Sequence, residues 1–424
     1  MVRNFLERLE AGSFKIVCDA GLLAEQSAQR AFVAGGCVRD LILGRKVKDL
    51  DIVIDGDAAL VAKKFASLHG GTVVRYPQFG TATVKFPDGR AIDFASVRQE
   101  VYPSPGALPV VTPGTLEQDL FRRDFTINAM AIEIGPERFG RLIDHYNGLN
   151  DLKRKAVRVL HSKSFIDDPT RILRAVRFEE RFGFPIEPVT LGLIRLAVKR
   201  GAVHTVKPQR FFEEFRKNLK ETEASRNLRR LSQFGVLKSL SNDIKFDGQR
   251  FRLAHEAGRA LVWAQKNLKD EAGLSGWLIY WMILCDGMSL ERVTKLLERF
   301  AFTAVDRIKM TNAVSSSEAI KMLARRRLST AQVFELLRSR SIEELLYIWS
   351  KSPSIRSVVQ KYLLQWRHVS LKITGDDLKK LGIPSGKIFK NILDEVLYSV
   401  VDGRCRLRSQ QLAYAEAIYQ QSQH

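Results

Sequence analysis

The sequence predicts an α+β fold, in which an N-terminal sheet domain precedes a mainly α-helical C-terminal half. Up to about residue 145, short runs rich in β-branched and aromatic residues alternate with turn residues. From about residue 146 onward, apolar residues recur at helical spacing and strand signals are few. A chain of 424 residues is long enough for about two to four domains.

The sheet domain is predicted from a series of short runs and one turn. The runs cover residues 49–54, 72–75, 81–86, 91–97 and 129–134. Pro87, Asp88 and Gly89 are typical of a hairpin turn, because Pro and Gly supply the backbone angles that tight turns require. We therefore expect the two runs on either side of this turn to pair.

The helical half is predicted from the spacing of apolar residues. The spacing of a buried helix face is found at Ile172, Leu173, Val176 and Phe178, and again at Leu191, Ile194 and Val198. We expect a sheet domain at 1–145 and helical domains at 146–220, 221–350 and 351–424. No low-complexity linker or internal repeat marks these boundaries in the sequence.

The net charge of +21 indicates a polyanionic partner. Lys and Arg are spread along the whole chain rather than confined to a tail. Nucleic acid is the favoured polyanion, and a solvated basic surface without a partner is the alternative. Binding to nucleic acid should weaken with added salt, because phosphate contacts release counterions.

The sequence lacks the features of a membrane or secreted protein. No stretch approaches about 18 consecutive apolar residues, and the amino terminus has no apolar signal core. We therefore expect a cytoplasmic protein with no membrane partner. The four cysteines are isolated from one another and from the histidines, so neither a zinc site nor a disulfide framework is predicted.

The clearest chemical signal is the stretch 35–51, which reads Gly-Gly-Cys-Val-Arg-Asp-Leu-Ile-Leu-Gly-Arg-Lys-Val-Lys-Asp-Leu-Asp. The glycine pair follows an apolar run and precedes a short helix-like segment. Asp49 and Asp51 then open a strand-like run, in which alternate residues point to the same face with Cα atoms about 6.6 Å apart. Such carboxylates can converge on a pair of Mg²⁺ or Mn²⁺ ions, which predicts metal-assisted phosphoryl transfer.

Asp93 is a candidate third carboxylate. It lies on the strand predicted after the turn, and a neighbouring strand can place it beside the first two acids. It can equally be a surface aspartate, and its spacing alone does not decide between these roles.

A second cluster comprises Arg122, Arg123, Asp124 and Asn128. Two guanidinium groups beside an acid and an amide can bind a triphosphate and hydrogen-bond a ribose hydroxyl. The alternative is the start of a helix, with Asp124 as its N-cap and Asn128 facing solvent.

The run Asp167-Asp168-Pro169-Thr170-Arg171 discriminates best between functions. Asp168 and Arg171 are three residues apart, which would place an acceptor and a donor on one helix face. Adenine and cytosine present an amino donor beside a ring nitrogen acceptor, whereas guanine and uracil present the reverse order. The pair can therefore accept A and C without a template. The alternative is that Asp168 only caps a helix.

Together these segments resemble the class II tRNA nucleotidyltransferase and bacterial poly(A) polymerase family, over residues 30–215. The resemblance implies that Asp49 and Asp51 are catalytic metal ligands, and Asp93 stays the candidate third catalytic carboxylate from its strand position. It implies nucleotide-binding or supporting roles for Gly35, Gly36, Arg39, Asp40, Arg122, Arg123, Asp124, Asn128, Asp168, Arg171 and Arg174. The sheet domain would then be the catalytic domain, 146–220 the base-recognition domain and 351–424 a tRNA-binding tail.

The sequence departs from the family pattern at two positions. Asp167 stands where the family has Glu, and Gln209 stands in a helix-start motif that usually carries Glu. The roles of both positions are left open. Residues 373–396 resemble the tail of members that add only the terminal A. The glycine-bearing turn in this segment can grip a phosphate backbone or simply pack two helices.

The resemblance implies template-independent addition of CCA, or of its terminal A, to the 3′ end and acceptor arm of tRNA. ATP, and CTP for the C residues, would supply the nucleotides, with two Mg²⁺ ions as cofactors and pyrophosphate as the leaving group. Poly(A) synthesis is the alternative reaction, and a non-enzymatic RNA-binding protein the alternative class. The loop expected at 98–121 influences the switch from C to A in the family. Its ordinary length argues against an enzyme that stops after CC.

Overall fold

The computed structural model describes residues 5–47, 49–268, 273–324 and 328–423. A mixed sheet occupies the N-terminal part and the later described residues are mainly helical, which confirms the α+β class. Two compact units are formed, Met1–Asn218 with Gln233–Ser239 and Leu219–Ser232 with Leu240–His424. The finer division into four domains stays a prediction.

The strands belong to two sheets. They are β1 (Arg30–Ala34), β2 (Asp51–Asp55), β3 (Thr72–Tyr76), β4 (Thr81–Lys85), β5 (Ala91–Ser96), β6 (Arg98–Val101), β7 (Val110–Pro113), β8 (Ala131–Glu133) and β9 (Leu142–Ile143). The order across the main sheet is β3-β4-β5-β2-β1-β8-β9, and β6 and β7 form a separate pair. Within the main sheet β2 and β5 are parallel, whereas the other neighbouring strands are antiparallel.

The helices lie mostly after the sheet. Those up to residue 219 are α1 (Ala11–Glu25), α2 (Gly36–Ile42), α3 (Ala58–His69), α4 (Leu116–Phe121), α5 (Gly148–Arg154), α6 (Ser164–Asp167), α7 (Thr170–Phe182), α8 (Pro188–Lys199) and α9 (Pro208–Leu219). The later ones are α10 (Ala224–Gln233), α11 (Gly248–Asn267), α12 (Gly276–Leu284), α13 (Leu290–Arg299), α14 (Ala304–Val314), α15 (Ser316–Ala324), α16 (Thr330–Arg338), α17 (Ile342–Lys351), α18 (Pro353–Leu364), α19 (Gly375–Lys380), α20 (Lys387–Val401) and α21 (Arg408–Gln421).

The centre of the main sheet is covered on both faces. Successive residues of a strand point to opposite faces. On one face Phe94 of β5 packs against Phe65 of α3, with ring centroids 5.3 Å apart. On the other face Phe32 and Val53 belong to a buried cluster that includes Leu120 of α4. Because both faces are packed, the central strands hold their backbone rigidly and can position the side chains of the site.

The predicted strands agree well with the structure, apart from one start. The runs at 72–75, 81–86, 91–97 and 129–134 correspond to β3, β4, β5 and β8, with ends that differ by at most two residues. The predicted turn joins β4 to β5, and Phe86 donates its N–H to the Arg90 carbonyl across it at 2.9 Å. Gly89 adopts a left-handed φ of +85° in this turn, an angle that favours glycine.

The strand predicted over 49–54 begins at Asp51 instead. The ladder with β5 starts at the rung that pairs Asp51 with Asp93, and no rung of either neighbouring ladder includes Asp49. Strand alternation therefore does not fix the direction of the Asp49 side chain, and the prediction that both acids share one strand was wrong. The loop expected at 98–121 also differs, because it contains β6, β7 and α4.

Helix α7 carries the predicted apolar face. Its buried residues include Ile172, Leu173, Val176 and Phe178. The helix ends at Gly183, whose left-handed φ of +65° lets its N–H bond back to the Glu179 carbonyl. Asp168 lies before this helix in extended backbone, not on it.

The second unit is built almost entirely from helices in its described residues. Helix α12 is buried at every residue from Trp277 to Leu284, so it is a core helix of that unit. Helices α19, α20 and α21 share a cluster around Leu378, Val396 and Ala415. Within the described ranges, no helix combines the length and the apolar character needed to cross a membrane.

Candidate active site

The site is built around one rung of the central sheet. Asp51 of β2 lies directly beside Asp93 of β5, and paired residues of neighbouring strands point to the same face. The Thr83 hydroxyl of β4 donates to Asp93 Oδ1 at 2.6 Å. The parallel pairing of β2 and β5 thus brings two acids together that are far apart in sequence.

Asp51 carries an unfavourable negative charge. Partial burial raises its pKa, and the carboxylates of Asp93, Asp49 and Asp119 raise it further, while the nearby guanidinium of Arg123 acts in the opposite direction. The side chain still reaches solvent in the cleft. A group of acids that repel one another in this way favours the binding of a cation.

The carboxylate oxygens of Asp51 and Asp93 are suitable ligands for a divalent metal ion. Carboxylate oxygens suit hard ions such as Mg²⁺, which is usually bound by one or two carboxylates and completed by water and substrate phosphates. In the part of the chain that the structure describes, no three acidic, His or Cys side chains enclose a ready-made metal site. Asp51 is exposed to the cleft. An ion bound there can therefore complete its coordination with oxygen atoms of the substrate.

Gly35 brings an arginine close to the carboxylates. It adopts a left-handed φ of +82° between β1 and α2. A Cβ atom at this position would lie 2.2 Å from Arg123 Nη1 and 3.8 Å from Asp51 Oδ2. Position 35 therefore requires glycine for two reasons. Its backbone angle favours glycine, and the absence of a side chain lets the guanidinium approach.

Arg39 donates three hydrogen bonds to protein groups. Its Nε and Nη2 donate to the two carboxylate oxygens of Asp40 at 2.9 Å each, and its Nη1 donates to Asn128 Oδ1 at 2.6 Å. Its guanidinium also stacks over Phe182, 4.6 Å from the ring centroid. Arg39 and Asp40 thus support the glycine turn, and their contact with a nucleotide stays a prediction.

Asn128, which accepts from Arg39, also contacts the buried Asp124. Asn128 donates to Asp124 Oδ1 at 2.8 Å, and Arg174 pairs with the other oxygen at 2.6 Å. Burial alone would raise the pKa of Asp124, but Arg174 and Asn128 together outweigh it and hold that pKa low. Asn128 is only 6% exposed, so the alternative of a helix cap with a solvent-facing Asn128 is excluded.

Arg122 and Arg123 are aligned by an acid that the sequence analysis missed. Asp119 pairs with Arg122 at 2.7 Å and with Arg123 at 3.1 Å, and Arg122 also pairs with Glu100 at 2.9 Å. Burial opposes the ionised form of Asp119, but the two guanidinium groups prevail and lower its pKa. The i,i+3 and i,i+4 spacing from α4 was the available signal.

Asp168 is held by two different groups. Its Oδ1 accepts from the N–H of Thr170 at 3.0 Å and from the Thr170 hydroxyl at 2.6 Å. Its Oδ2 pairs with Arg210 at 2.7 Å. The capping role of Asp168 is therefore present, and its position before α7 corrects the expectation that it shares a helix face with Arg171.

Arg171 is fixed from two sides. Its Nη1 donates to the Ser164 hydroxyl at 2.6 Å, and its Nη2 donates to the Arg122 carbonyl at 2.7 Å. Arg122 is thereby connected through its side chain to Asp119 and Glu100 and through its carbonyl to Arg171.

Arg210 was not assigned a role from the sequence. Besides its pair with Asp168, its Nη1 donates to the carbonyl oxygens of Gly106 and Ala107, both at 3.3 Å. It thus connects helix α9 with the turn between β6 and β7. The neighbouring Gln209 also lines the cleft, although no contact explains its departure from the family pattern.

These groups face a single cleft of about 1240 Å³. The predicted residues in its lining are Gly36, Arg39, Asp51, Asp93, Arg122, Arg123, Asp124, Asn128, Asp168, Arg171 and Arg174. Gly35, Asp40 and Asp49 are predicted residues outside that lining. Residues in the lining that were not predicted include Glu100, Tyr102, Thr170, Arg177, Arg181, Arg210 and Glu214. A cleft of this volume exceeds the usual site of one small ligand, so it has room for a nucleotide and a second substrate.

Two family models match the chain. Residues 31–158 match the poly A polymerase head domain, and residues 183–246 match a probable RNA and SrmB-binding site of polymerase A. The A-adding tRNA nucleotidyltransferase of Geobacter sulfurreducens is 36% identical over 94% of this chain and 46% of its own length. The present chain thus spans about half the length of that relative.

Other relatives are matched over nearly their full length. The A-adding tRNA nucleotidyltransferase of Halalkalibacterium halodurans is 32% identical over 88% of this chain and 85% of its own. A solved CCA-adding enzyme in apo form II superposes with a TM-score of 0.87, at 32% identity and 98% coverage of both chains. The Thermotoga maritima CCA-adding enzyme complexed with tRNA gives 0.83, at 30% identity and the same coverage. The chain therefore belongs to the class II tRNA nucleotidyltransferase family.

Proposed function

We propose that this protein adds the terminal A to the 3′ end of tRNA, with ATP as the nucleotide donor and pyrophosphate as the leaving group. The observation that carries the proposal is that two pairs of residues line the same cleft. They are the acidic rung of the sheet, Asp51 with Asp93, and the pair Asp168 and Arg171. The curated relatives named above, which cover most of this chain, are A-adding enzymes. Full CCA addition is the second candidate, because the solved neighbours are CCA-adding enzymes.

The triphosphate is proposed to bind at Arg122 and Arg123. Asp119 holds both guanidinium groups from one side, so their remaining N–H donors can turn toward the cleft. Arg–phosphate contacts are commonly bidentate, which fixes the orientation of the phosphate chain. Gly35 leaves the space through which Arg123 approaches the carboxylates.

Divalent metal ions are general in this family, and we propose Mg²⁺ at Asp49 and Asp51, beside Asp93. Two such ions, when bound, lower the pKa of an RNA 3′-hydroxyl and neutralise charge on the triphosphate. The three aspartates supply negative charge for this purpose, and the pKa of Asp51 is raised first by burial and then by the other carboxylates, against the effect of Arg123. Mn²⁺ offers the same preference for oxygen ligands.

The ribose is proposed to lie near the Asp124 network. Both oxygens of Asp124 are engaged by Asn128, Arg174 and a backbone N–H, so Asp124 acts mainly by fixing these neighbours. An amide and a guanidinium held in one position can hydrogen-bond a sugar hydroxyl without further rearrangement.

Base choice is proposed to rest on Asp168 and Arg171. A carboxylate oxygen can accept a second hydrogen bond, and a guanidinium carries five N–H donors, so both side chains retain capacity beyond their protein contacts. An amino group beside a ring nitrogen satisfies this pair, as in A and C. Guanine and uracil would place a carbonyl oxygen against the carboxylate and a ring N–H against the guanidinium. Two acceptors and two donors would then face each other and stay unpaired.

The product is tested by supplying ATP and CTP separately with tRNA that ends at the discriminator base, at C or at CC. We expect magnesium-dependent addition of one A to the CC-ending substrate. Addition of C to the shorter substrates would establish full CCA synthesis, and a long A tract would establish poly(A) synthesis. Absence of incorporation with all three substrates would contradict the proposal and favour a non-enzymatic RNA-binding protein. The cytoplasmic location stays a prediction.

A further inference from the structure

Three aromatic rings form a cluster at the end of helix α4. The ring centroid of Phe121 lies 5.6 Å from that of Tyr146 and 5.2 Å from that of His161. The interplanar angles are 43° and 32°, so the rings are tilted rather than perpendicular. Phe121 is 43% exposed at the centre of this group. A large aromatic side chain that stays open to solvent beside two other rings offers an apolar face to a ligand.

The cluster lies next to the cleft but outside it. Phe121 directly precedes Arg122, which lines the cleft and whose carbonyl receives a hydrogen bond from Arg171. In the described lining of the cleft, Phe121, Tyr146 and His161 do not occur. A base that stacks on these rings is therefore a different base from the one that Asp168 and Arg171 read.

The charges around the cluster suit a nucleic acid. Burial lowers the pKa of His161, and the positive charges of Arg171 and Lys163 lower it further, against the effect of Asp167. The imidazole is thus neutral near pH 7, which makes it a suitable stacking surface. Lys163 is exposed and adds positive charge near the ring, where a phosphate of the same strand can be neutralised.

We propose that Phe121, with Tyr146 and His161, forms a stacking platform for an unpaired base at the 3′ end of the acceptor RNA. Aromatic side chains beside basic groups are the usual means of holding single-stranded RNA, because every base has a π-face. This proposal rests on the proposed function for the identity of the acceptor.

The platform is tested with tRNA whose 3′-terminal base is 2-aminopurine, a fluorescent base that is quenched when it stacks. The full-length protein is titrated with this RNA in the absence of nucleotides. We expect wild type to quench the terminal base. Phe121→Ala should lose most of the quenching and bind about ten-fold more weakly, the effect expected of one lost base–aromatic stack. Phe121→Tyr should retain both, which separates loss of the ring from misfolding.

The matched control is Phe79→Ala. Phe79 is a phenylalanine of the same unit, 48% exposed, and it is not among the residues that line the cleft. Its replacement should leave the quenching unchanged. Wild-type quenching in Phe121→Ala, or an equal loss in both variants, would overturn the platform and assign the exposed rings to another class of partner.

The two proposals fail in different ways. Quenching is measured without ATP, so it does not depend on nucleotide transfer. A protein that quenches through Phe121 but adds no nucleotide would refute the proposed function while supporting the platform. A protein that adds A and shows no dependence of quenching on Phe121 would refute the platform alone.

Discussion

The two charged regions of the cleft differ in how completely the protein itself neutralises them. At the sheet, burial raises the pKa of Asp51 and three further carboxylates raise it more, with Arg123 opposing them. At the start of α7, Asp168 and Arg171 each make several short bonds to protein groups. The first region suits an added cation, whereas the second is preorganised before any substrate arrives. Variants of the two regions should therefore fail in different ways.

The largest effect is expected at the acidic rung. Asp51→Ala should lower nucleotide incorporation by about 1000-fold or more, since metal-assisted transfer cannot proceed without a ligand of the ion. Binding of RNA, measured separately by filter retention, should stay within about two-fold of wild type because phosphate contacts elsewhere supply most of that affinity.

Asp88→Ala is the matched control, because Asp88 is an exposed aspartate in the turn before β5 that pairs with Arg90. It should keep full activity. An Asp51→Ala protein with near wild-type incorporation would sink the assignment of this rung as catalytic.

The second largest effect is expected at Gly35. In Gly35→Ala the added Cβ would lie 2.2 Å from Arg123 Nη1, so this guanidinium must withdraw from the acids and from the proposed triphosphate site. We expect KM for ATP to rise by about 100-fold or more, measured by steady-state kinetics at saturating RNA.

Gly89→Ala separates this clash from backbone strain. Gly89 has nearly the same φ, +85° against +82°, but nothing lies within 4 Å of its Cβ position. It should lower the melting temperature and leave KM for ATP unchanged. An equal rise of KM in both variants would show that the approach of Arg123 is unimportant.

A smaller and more selective effect is expected at Asp168 and Arg171, the pair proposed to read the base. Asp168→Asn replaces an acceptor by a group that can also donate, so discrimination against GTP and UTP should fall by about ten-fold to 100-fold, as one misplaced hydrogen bond allows. The ratio of kcat/KM for ATP and GTP measures it. Asp167→Asn, one residue earlier, should leave the ratio unchanged, and a strict A preference in Asp168→Asn would contradict the edge-reading account.

The smallest effect is expected at Arg210. Arg210→Lys keeps a positive charge but loses the planar fork that contacts both Asp168 and the Gly106 carbonyl. We expect a loss of selectivity of about three-fold to ten-fold, with KM for RNA unchanged. Arg200→Lys, an exposed position after α8, is the control. If Arg210→Lys instead raised KM for RNA alone, Arg210 would be an RNA contact and not a support of Asp168.

The sequence predicted the fold class and much of the site because those signals are local. The turn at Gly89 and the strands beside it follow from neighbouring residues, as does the order of the acidic and arginine motifs. The start of β2 was misplaced because strand ends are set by pairing partners, and the ladder with β5 begins only at Asp51. Whether Asp93 joins Asp51 was likewise a question of sheet order, which spacing does not contain.

The supporting residues could not be predicted for a related reason. Arg210 reaches the Gly106 carbonyl across a separation of 104 residues, and no local pattern indicates that contact. The engagement of Asp168 by Thr170 was foreseeable as a cap, but its second bond depends on where α9 packs. Long-range hydrogen bonds decide which motif residues remain available to substrates.

The central claim is that Asp51 carries a charge that the protein alone does not neutralise, and thermal unfolding with and without Mg²⁺ tests it directly. Because the pKa of Asp51 is raised on folding, its ionised form costs stability above that pKa, and the cost disappears as pH falls. At pH 7 without metal, Asp51→Asn should therefore melt above wild type, and the difference should vanish at acidic pH. Saturating Mg²⁺ should raise the Tm of wild type more than that of the variant. Equal responses of the two proteins to Mg²⁺ would contradict the account.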